Sequence, residues 1–192
     1  MTNDLSSNAR IRVLDFFIQS AQQLEVPPIV KYTALSFFAE RFFPIIFRSS
    51  QDITGHWLLQ PVRESNLQLF ALIAIWISSK IHDTRPLTIQ KLKTLADKII
   101  HEQHYTIRDF AEAPLMTSLF SILKVLNFDI GTSDIAYRLL EDLLIQLKEV
   151  ATIGAHLNLE VCMDIMDLLY EKEETTTLYN SPHPLAASIL AR

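Results

Sequence analysis

Glycine is scarce in this chain, with only Gly55, Gly131 and Gly154 among 192 residues. No G-x-G-x-x-G dinucleotide fingerprint and no Walker phosphate loop can be built from them, and little material is left for β-turns. Cysteine is scarcer still: a lone Cys162 cannot form an internal disulfide. The first residues, Met1-Thr2-Asn3-Asp4-Leu5, have neither the basic start nor the apolar stretch of a secretory leader. A reducing compartment is therefore expected, nucleus or cytoplasm. Positive charge is not in excess, since 17 Lys and Arg face 22 Asp and Glu for a formal net charge of -5. Backbone phosphates demand clustered basic residues, so no nucleic-acid partner is expected. The densest basic spot, Lys91, Lys93 and Lys98, sits at helical spacing among apolar residues and reads as the solvated face of a helix. No apolar run approaches the roughly 20 residues that cross a bilayer, and no membrane partner is expected either.

What the chain does have is hydrophobic residues, 49% of the total, enough for a core of ordinary density. They concentrate in Leu67-Gln68-Leu69-Phe70-Ala71-Leu72-Ile73-Ala74-Ile75-Trp76-Ile77-Ser78-Ser79-Lys80, a run that is apolar on every helical face until it meets a lysine. A helix apolar all round is a buried one. This run, started by Glu64-Ser65-Asn66, is expected to be the central helix of an all-helical domain. Each large side chain gains roughly 1.5–3 kcal/mol on burial, so the one helix supplies much of the core's stabilisation. Lys80 has two readings: a snorkelling charge that favours the helix dipole, or a partner-binding cation at the rim of a rigid core.

The rest of the chain punctuates itself. Thr2 to Asn8 is polar and expected to fray. Ile11, Val13-Leu14, Phe16-Phe17-Ile18 and Ala21 predict a first helix from about Ala9 to Leu24, stopped by Pro27-Pro28. A second starts on those prolines and runs to Pro44. Arg10 and Glu40 each interrupt an apolar neighbourhood and are either a buried ion pair or two solvent-directed charges. Phe47 to Arg63 reads as a surface loop with Trp57-Leu58-Leu59 tucked down. After the break at Asp83-Thr84-Arg85-Pro86, Thr88 caps a fourth helix with Leu92, Leu95-Ala96 and Ile99-Ile100 inward. His101 and His104 lie three apart, not four as in H-E-x-x-H, with no obvious third ligand, so no metal is expected.

Thr106 caps a fifth helix, in which Pro114 falls in the interior, costs roughly 3 kcal/mol and frees the Phe110 carbonyl; a kink or two separate helices is expected. A glycine stop at Gly131 precedes a helix started by Ser133 or Asp134, with Leu139-Leu140, Leu143-Leu144, Leu147 and Val150 inward and Gly154 at its end. Asn158 caps the next, with Val161-Cys162, Ile165-Met166 and Leu168-Leu169 inward. Its acids Asp164, Asp167, Glu171, Glu173 and Glu174 make a solvated face. Pro182 and Pro184 open a short final helix, Leu185 to Arg192, and these last helices read as an unfinished unit.

Three motifs in this order resemble one family. Leu67-Gln68-Leu69 through Ser79-Lys80 is similar to the "LQLVG…ASK" helix of the cyclin box, Ala39-Glu40-Arg41-Phe42-Phe43 to its "DRFL", and Leu123-Lys124-Val125-Leu126-Asn127-Phe128 to its "LKVLxF". Leu58-Leu59-Gln60-Pro61 and Leu140-Glu141-Asp142-Leu143-Leu144-Ile145-Gln146 are most similar to plant J-type cyclins. The resemblance implies an all-α fold: a cyclin box of five helices around a buried central one at 9–128, after a disordered tail at 1–8, followed by a truncated second cyclin-like box at 132–192. It implies a regulatory subunit, not an enzyme, that binds and activates a cyclin-dependent kinase in cell-cycle control without a cofactor.

Residue by residue, Lys80 matches the lysine that hydrogen-bonds kinase carbonyls, Arg10 and Glu40 match a structural Arg–Asp pair with Glu for Asp, and Phe16 and Gln68 match the substrate-docking groove. The chain departs from the pattern in three places. Leu119 stands where cyclins carry a kinase-contacting glutamate, and Pro114–Ile122 is about five residues longer than the family spacing. The groove's "MRAIL" reads Ala9-Arg10-Ile11-Arg12-Val13, with Gln19 in place of the acid that receives a basic substrate residue, so weak or altered substrate docking is expected. Two other functions remain open: a cyclin-fold adaptor of the transcription-factor kind, and a splice variant impaired in kinase binding.

Overall fold

The computed structural model describes residues 2–43, 63–116, 135–150 and 158–191. Every described element is helical, and no strand occurs among the described residues. The chain forms two compact units, Met1–Gly131 and Thr132–Arg192.

In the first unit, α1 spans Thr2–Gln23. Residues 2–8, expected to be a disordered tail before a start near Ala9, are helical instead. No proline or glycine breaks this stretch. The α1 terminus is a Schellman turn: Val26 N–H donates to the Ala21 carbonyl at 3.2 Å and Glu25 N–H to Gln22 at 3.0 Å. Glu25 takes the left-handed conformation usual for glycine, with φ 54°.

α2 (Pro28–Leu35) starts on its proline, as expected. It then widens into a π-helical segment, Ser36–Phe42, closed by a hydrogen bond from Phe43 N–H to the Phe38 carbonyl. That five-residue spacing sets the Phe38 and Phe43 rings edge to face at 4.8 Å. Phe38 also stacks on Phe17 of α1 at 5.7 Å and on Phe42 at 5.6 Å.

α3 (Glu64–His82) is the organising element, packing against α1, α2, the π-helical segment, α4 (Ile89–Ile99) and α5 (Ile107–Met116). Leu69, Leu72, Ile73 and Ile75 are completely buried, and Phe70 meets Phe42 at 5.0 Å. Its burial is not uniform, however: Trp76 and Ile77 are half-buried and Ile81 is 42% exposed. Thr88 caps α4, its hydroxyl accepting Lys91 N–H, and Leu92, Leu95, Ala96 and Ile100 point inward while Ile99 is half-buried. The basic spot is engaged within the chain: Lys91 Nζ donates to the Leu24 carbonyl at the end of α1 and Lys93 pairs with Asp97. Thr106 and Asp109 cap α5 reciprocally, and Pro114 lies within that helix, two residues short of Met116.

In the second unit, α6 (Ala136–Val150) and α7 (Leu159–Glu171) are followed by the single turn α8 (Glu173–Thr176), a 3-10 segment Thr177–Asn180, and α9 (Pro182–Leu190). α9 packs on α6 and α7. Asn158 caps α7 by accepting Glu160 N–H at 2.8 Å. The inward seam of α7 is narrower than the expected apolar doublets: Cys162, Met166 and Tyr170 are buried at four-residue spacing, whereas Val161 is 53% and Leu168 58% exposed. Likewise Leu140 and Leu144 of α6 are buried but Leu147 is exposed. In the doublets Leu139-Leu140, Leu143-Leu144, Val161-Cys162 and Ile165-Met166 the second residue is buried and the first is half-buried or exposed. Tyr179 extends the α7 seam, stacking on Tyr170 at 3.8 Å and donating its hydroxyl to the Met166 carbonyl.

The expected loop at 47–62, the segment after Met116 with Leu119 and the Leu123–Phe128 motif, the stop at Gly131, the starts at Ser133 and Asp134, and Gly154 lie outside the described residues.

Candidate functional site

The C-terminal turn of α3 carries three consecutive polar residues with three different fates. Ser78 is buried and donates its hydroxyl to the Val30 carbonyl of α2 at 2.8 Å. Ser79, also buried, donates to the Trp76 carbonyl at 2.7 Å and accepts Leu87 N–H at 3.1 Å. Lys80 is exposed, with Nζ 4.6 Å from the centre of the Trp76 ring. The two serines thus fasten the end of α3 to α2 and to the following loop, and the lysine is left facing outward from a rigid mount.

The indole Nε1–H of Trp76 donates to the Leu87 carbonyl at 3.0 Å. One turn on from Ser78, His82 Nε2 lies 3.1 Å from the Thr33 hydroxyl of α2. Lys80 and His82 both stand in the last helical turn, where positive charge is favoured by the helix dipole. The site can present a cation from a rigid base to hydrogen-bond acceptors of a partner.

The sequence-expected pair, Arg10 and Glu40, lies on α1 and the π-helical segment. Arg10 is 6% exposed, with its guanidinium 5.1 Å from the centre of the Phe43 ring, three residues beyond Glu40. Glu40 is half-buried and accepts the Ser36 hydroxyl at 3.2 Å. The fold therefore brings Arg10 against the segment that carries Glu40, and the solvent-directed reading fails for Arg10.

Phe16 and Gln68, the expected groove residues, are both half-buried on α1 and α3, which pack together. Each lies one turn along its helix from a member of the Arg12–Glu64 bridge, 2.7 Å long, whose carboxylate raises the Arg12 guanidinium pKa through hydrogen bonding and charge attraction. Gln19 is exposed.

Trp76, Ser79 and Leu87 surround Lys80, and the sequence reading assigns none of them a place beside it. In the sequence Trp76 reads only as one more apolar residue of the central run. The available signal was its position four residues before Lys80, the spacing that places two side chains on one helix face.

The described residues hold no group of three or more His, Cys, Asp or Glu side chains able to hold a metal ion. Nor is any helix among them long and apolar enough to cross a membrane.

Comparison with known proteins agrees with this architecture. The cyclin N-terminal domain family matches residues 1–131, the same span as the first compact unit. Cyclin-J18 of Arabidopsis thaliana is 58% identical over 182 residues, covering 94% of this chain and 76% of that protein. Cyclin-J18-like of Oryza sativa subsp. japonica is 47% identical over 189 residues, covering 94% of this chain and 70% of that protein. A family domain over most of the chain, two plant relatives and a helical bundle built around α3 lead to one statement: the chain belongs to the cyclin family and is similar to plant J-type cyclins.

Proposed function

We propose that this chain is a regulatory subunit that binds a cyclin-dependent protein kinase and favours its active conformation in cell-cycle control. The observation that carries the reading is Lys80, an exposed ammonium near the end of a largely buried helix, at the position where the cyclin resemblance expects a lysine that meets kinase carbonyls. The cyclin family is regulatory, and the chain's contribution is binding without chemistry of its own. A rigid helical surface that binds the active kinase better than the inactive one shifts the population by its differential affinity. In kinases that shift seats a mobile helix so that its glutamate pairs with the lysine that holds the ATP phosphates.

Phe16 and Gln68 belong, in this reading, to a groove that docks kinase substrates weakly. Gln19 offers a basic substrate residue no charge, and Arg12 is paired with Glu64 beside the groove. The protein acts in the nucleus, the cytoplasm or both, entering the nucleus with its kinase or by direct import. The adaptor alternative calls for a basic face, which a net charge of -5 and the engagement of Lys91 and Lys93 within the chain oppose.

The test is capture of purified plant cyclin-dependent kinases by the chain, by Lys80→Ala, and by a version with Pro114–Ile122 replaced by Glu-Leu-Val-Phe. Binding that Lys80→Ala weakens supports the proposal. Binding by the replaced version alone would identify an impaired variant, and capture of no kinase by either would sink the reading.

A further inference from the structure

Trp76 is the residue of α3 whose surroundings its apolar character does not explain. A half-buried tryptophan needs only a neighbouring surface to cover it, yet this one is held at two points. Its indole N–H donates to the Leu87 carbonyl and its own carbonyl accepts the Ser79 hydroxyl, whose oxygen in turn accepts Leu87 N–H. Both polar groups of the Leu87 backbone are thereby anchored to α3, across sequence separations of eight and eleven residues. The loop from Asp83 to Thr88 is drawn onto the last turn of the helix, and the plane of the indole is fixed from its pyrrole edge. Lys80 lies one turn further along the same face, with its ammonium over that plane.

A lysine on a surface helix samples many rotamers, and fixing it on binding costs side-chain entropy. An ammonium held over an aromatic face has lost part of that freedom already, while its three N–H donors remain able to meet oxygen acceptors, since the ring face is held by charge attraction alone. Tryptophan is the strongest of the aromatic residues in this role. A ligand that approaches Lys80 therefore meets a preorganised cation, and preorganisation strengthens binding without any new contact.

We propose that Trp76 is a positioning residue: held by the Ser79–Leu87 backbone clamp, its indole presets the Lys80 ammonium for capture of backbone carbonyls on the partner kinase. This inference rests on the kinase-binding reading of Lys80 and adds to it a residue that does not itself touch the kinase.

The experiment is a double-mutant cycle on the whole chain, read as affinity for a purified Arabidopsis thaliana cyclin-dependent kinase, with the Lys80 side-chain protons followed by NMR in the free protein. Trp76→Leu is expected to weaken binding about threefold to tenfold, the range of a partly desolvated cation–π contact. In the Lys80→Ala background the same change should have no further effect, and Trp76→Phe should recover part of the loss. The Lys80 methylene protons should be shifted upfield by the indole ring current in the native chain and return to ordinary positions in Trp76→Leu. Losses that multiply in the double mutant, or a Trp76→Leu chain that binds as tightly as the native one while Lys80→Ala does not, would overturn the role of Trp76 and leave kinase binding through Lys80 standing. Native affinity in Lys80→Ala would overturn both. If Trp76→Leu does not fold, Trp76→Phe serves in the cycle: a loss that vanishes in the Lys80→Ala background supports the inference, and one that persists overturns it.

Discussion

Ser78 donates its hydroxyl to the Val30 carbonyl at 2.8 Å, and both residues are completely buried between α3 and α2. A buried hydroxyl with its acceptor satisfied is neutral to mildly stabilising, but removing it strands part of the acceptor's hydrogen-bonding capacity. Ser78→Ala should cost about 1–2 kcal/mol, measured as a lower denaturant midpoint with an unchanged slope. Ser78→Val should cost more, because the added methyl groups must enter a filled interface. If the alanine variant melts with the native protein, the bond does not hold the two helices together.

Glu25 carries the penalty of the chain's poverty in glycine. It occupies the left-handed position of the α1 Schellman turn, with φ 54°, and is exposed, so no side-chain packing offsets the backbone cost. Glu25→Gly should raise stability by about 0.5–1 kcal/mol, the relief of the Cβ clash less the added chain entropy of glycine in the unfolded state. Thermal unfolding checks this, and a decrease in melting temperature would show that Glu25 makes a compensating contact.

Thr88 and Asn158 close the first turns of α4 and α7 through the amides of Lys91 and Glu160. Replacing either by alanine should cost about 1 kcal/mol. Hydrogen exchange gives a local readout: the Lys91 amide should exchange faster in Thr88→Ala and the Glu160 amide in Asn158→Ala, each without the other.

Tyr105 is buried, and its hydroxyl donates to Asn66 Oδ1 at 2.8 Å. Burial pushes its pKa from 10.0 up to about 12. The folded state thus holds a proton that the unfolded state releases first, so the stabilisation is complete below pH 10 and is lost as pH rises toward 12. Stability measured from pH 9 upward should fall across that window, and Tyr105→Phe should flatten the fall. An equal slope in both proteins would assign the alkaline loss to other groups, such as Tyr137, whose pKa burial also raises to about 12.

The features legible in the sequence are those whose cause lies within a few residues. Thr88 and Asn158 act on amides three and two positions away, Pro28 starts a helix by its own fixed φ, and the run from Leu67 to Ile75 is buried because no face of it favours water. The same locality limited the reading of the second unit. Paired apolar residues such as Val161-Cys162 mark a helix that buries something, but only the width of the neighbouring helix decides that Cys162 turns inward and Val161 stays in water.

The sequence by itself determined an all-helical fold organised on α3 and a lysine at the end of the central helix, because hydrophobic periodicity, caps and breakers are properties of neighbours along the chain. Tertiary structure alone decided what surrounds that lysine. Ser78 meets Val30 across 48 residues, Lys91 meets Leu24 across 67, and Trp76 and Ser79 take hold of Leu87 around a loop. These contacts depend on where elements cross and on which backbone groups a crossing leaves unsatisfied. No spacing rule encodes that, since a buried hydroxyl or an indole N–H finds whichever carbonyl the packing of large apolar side chains brings within reach.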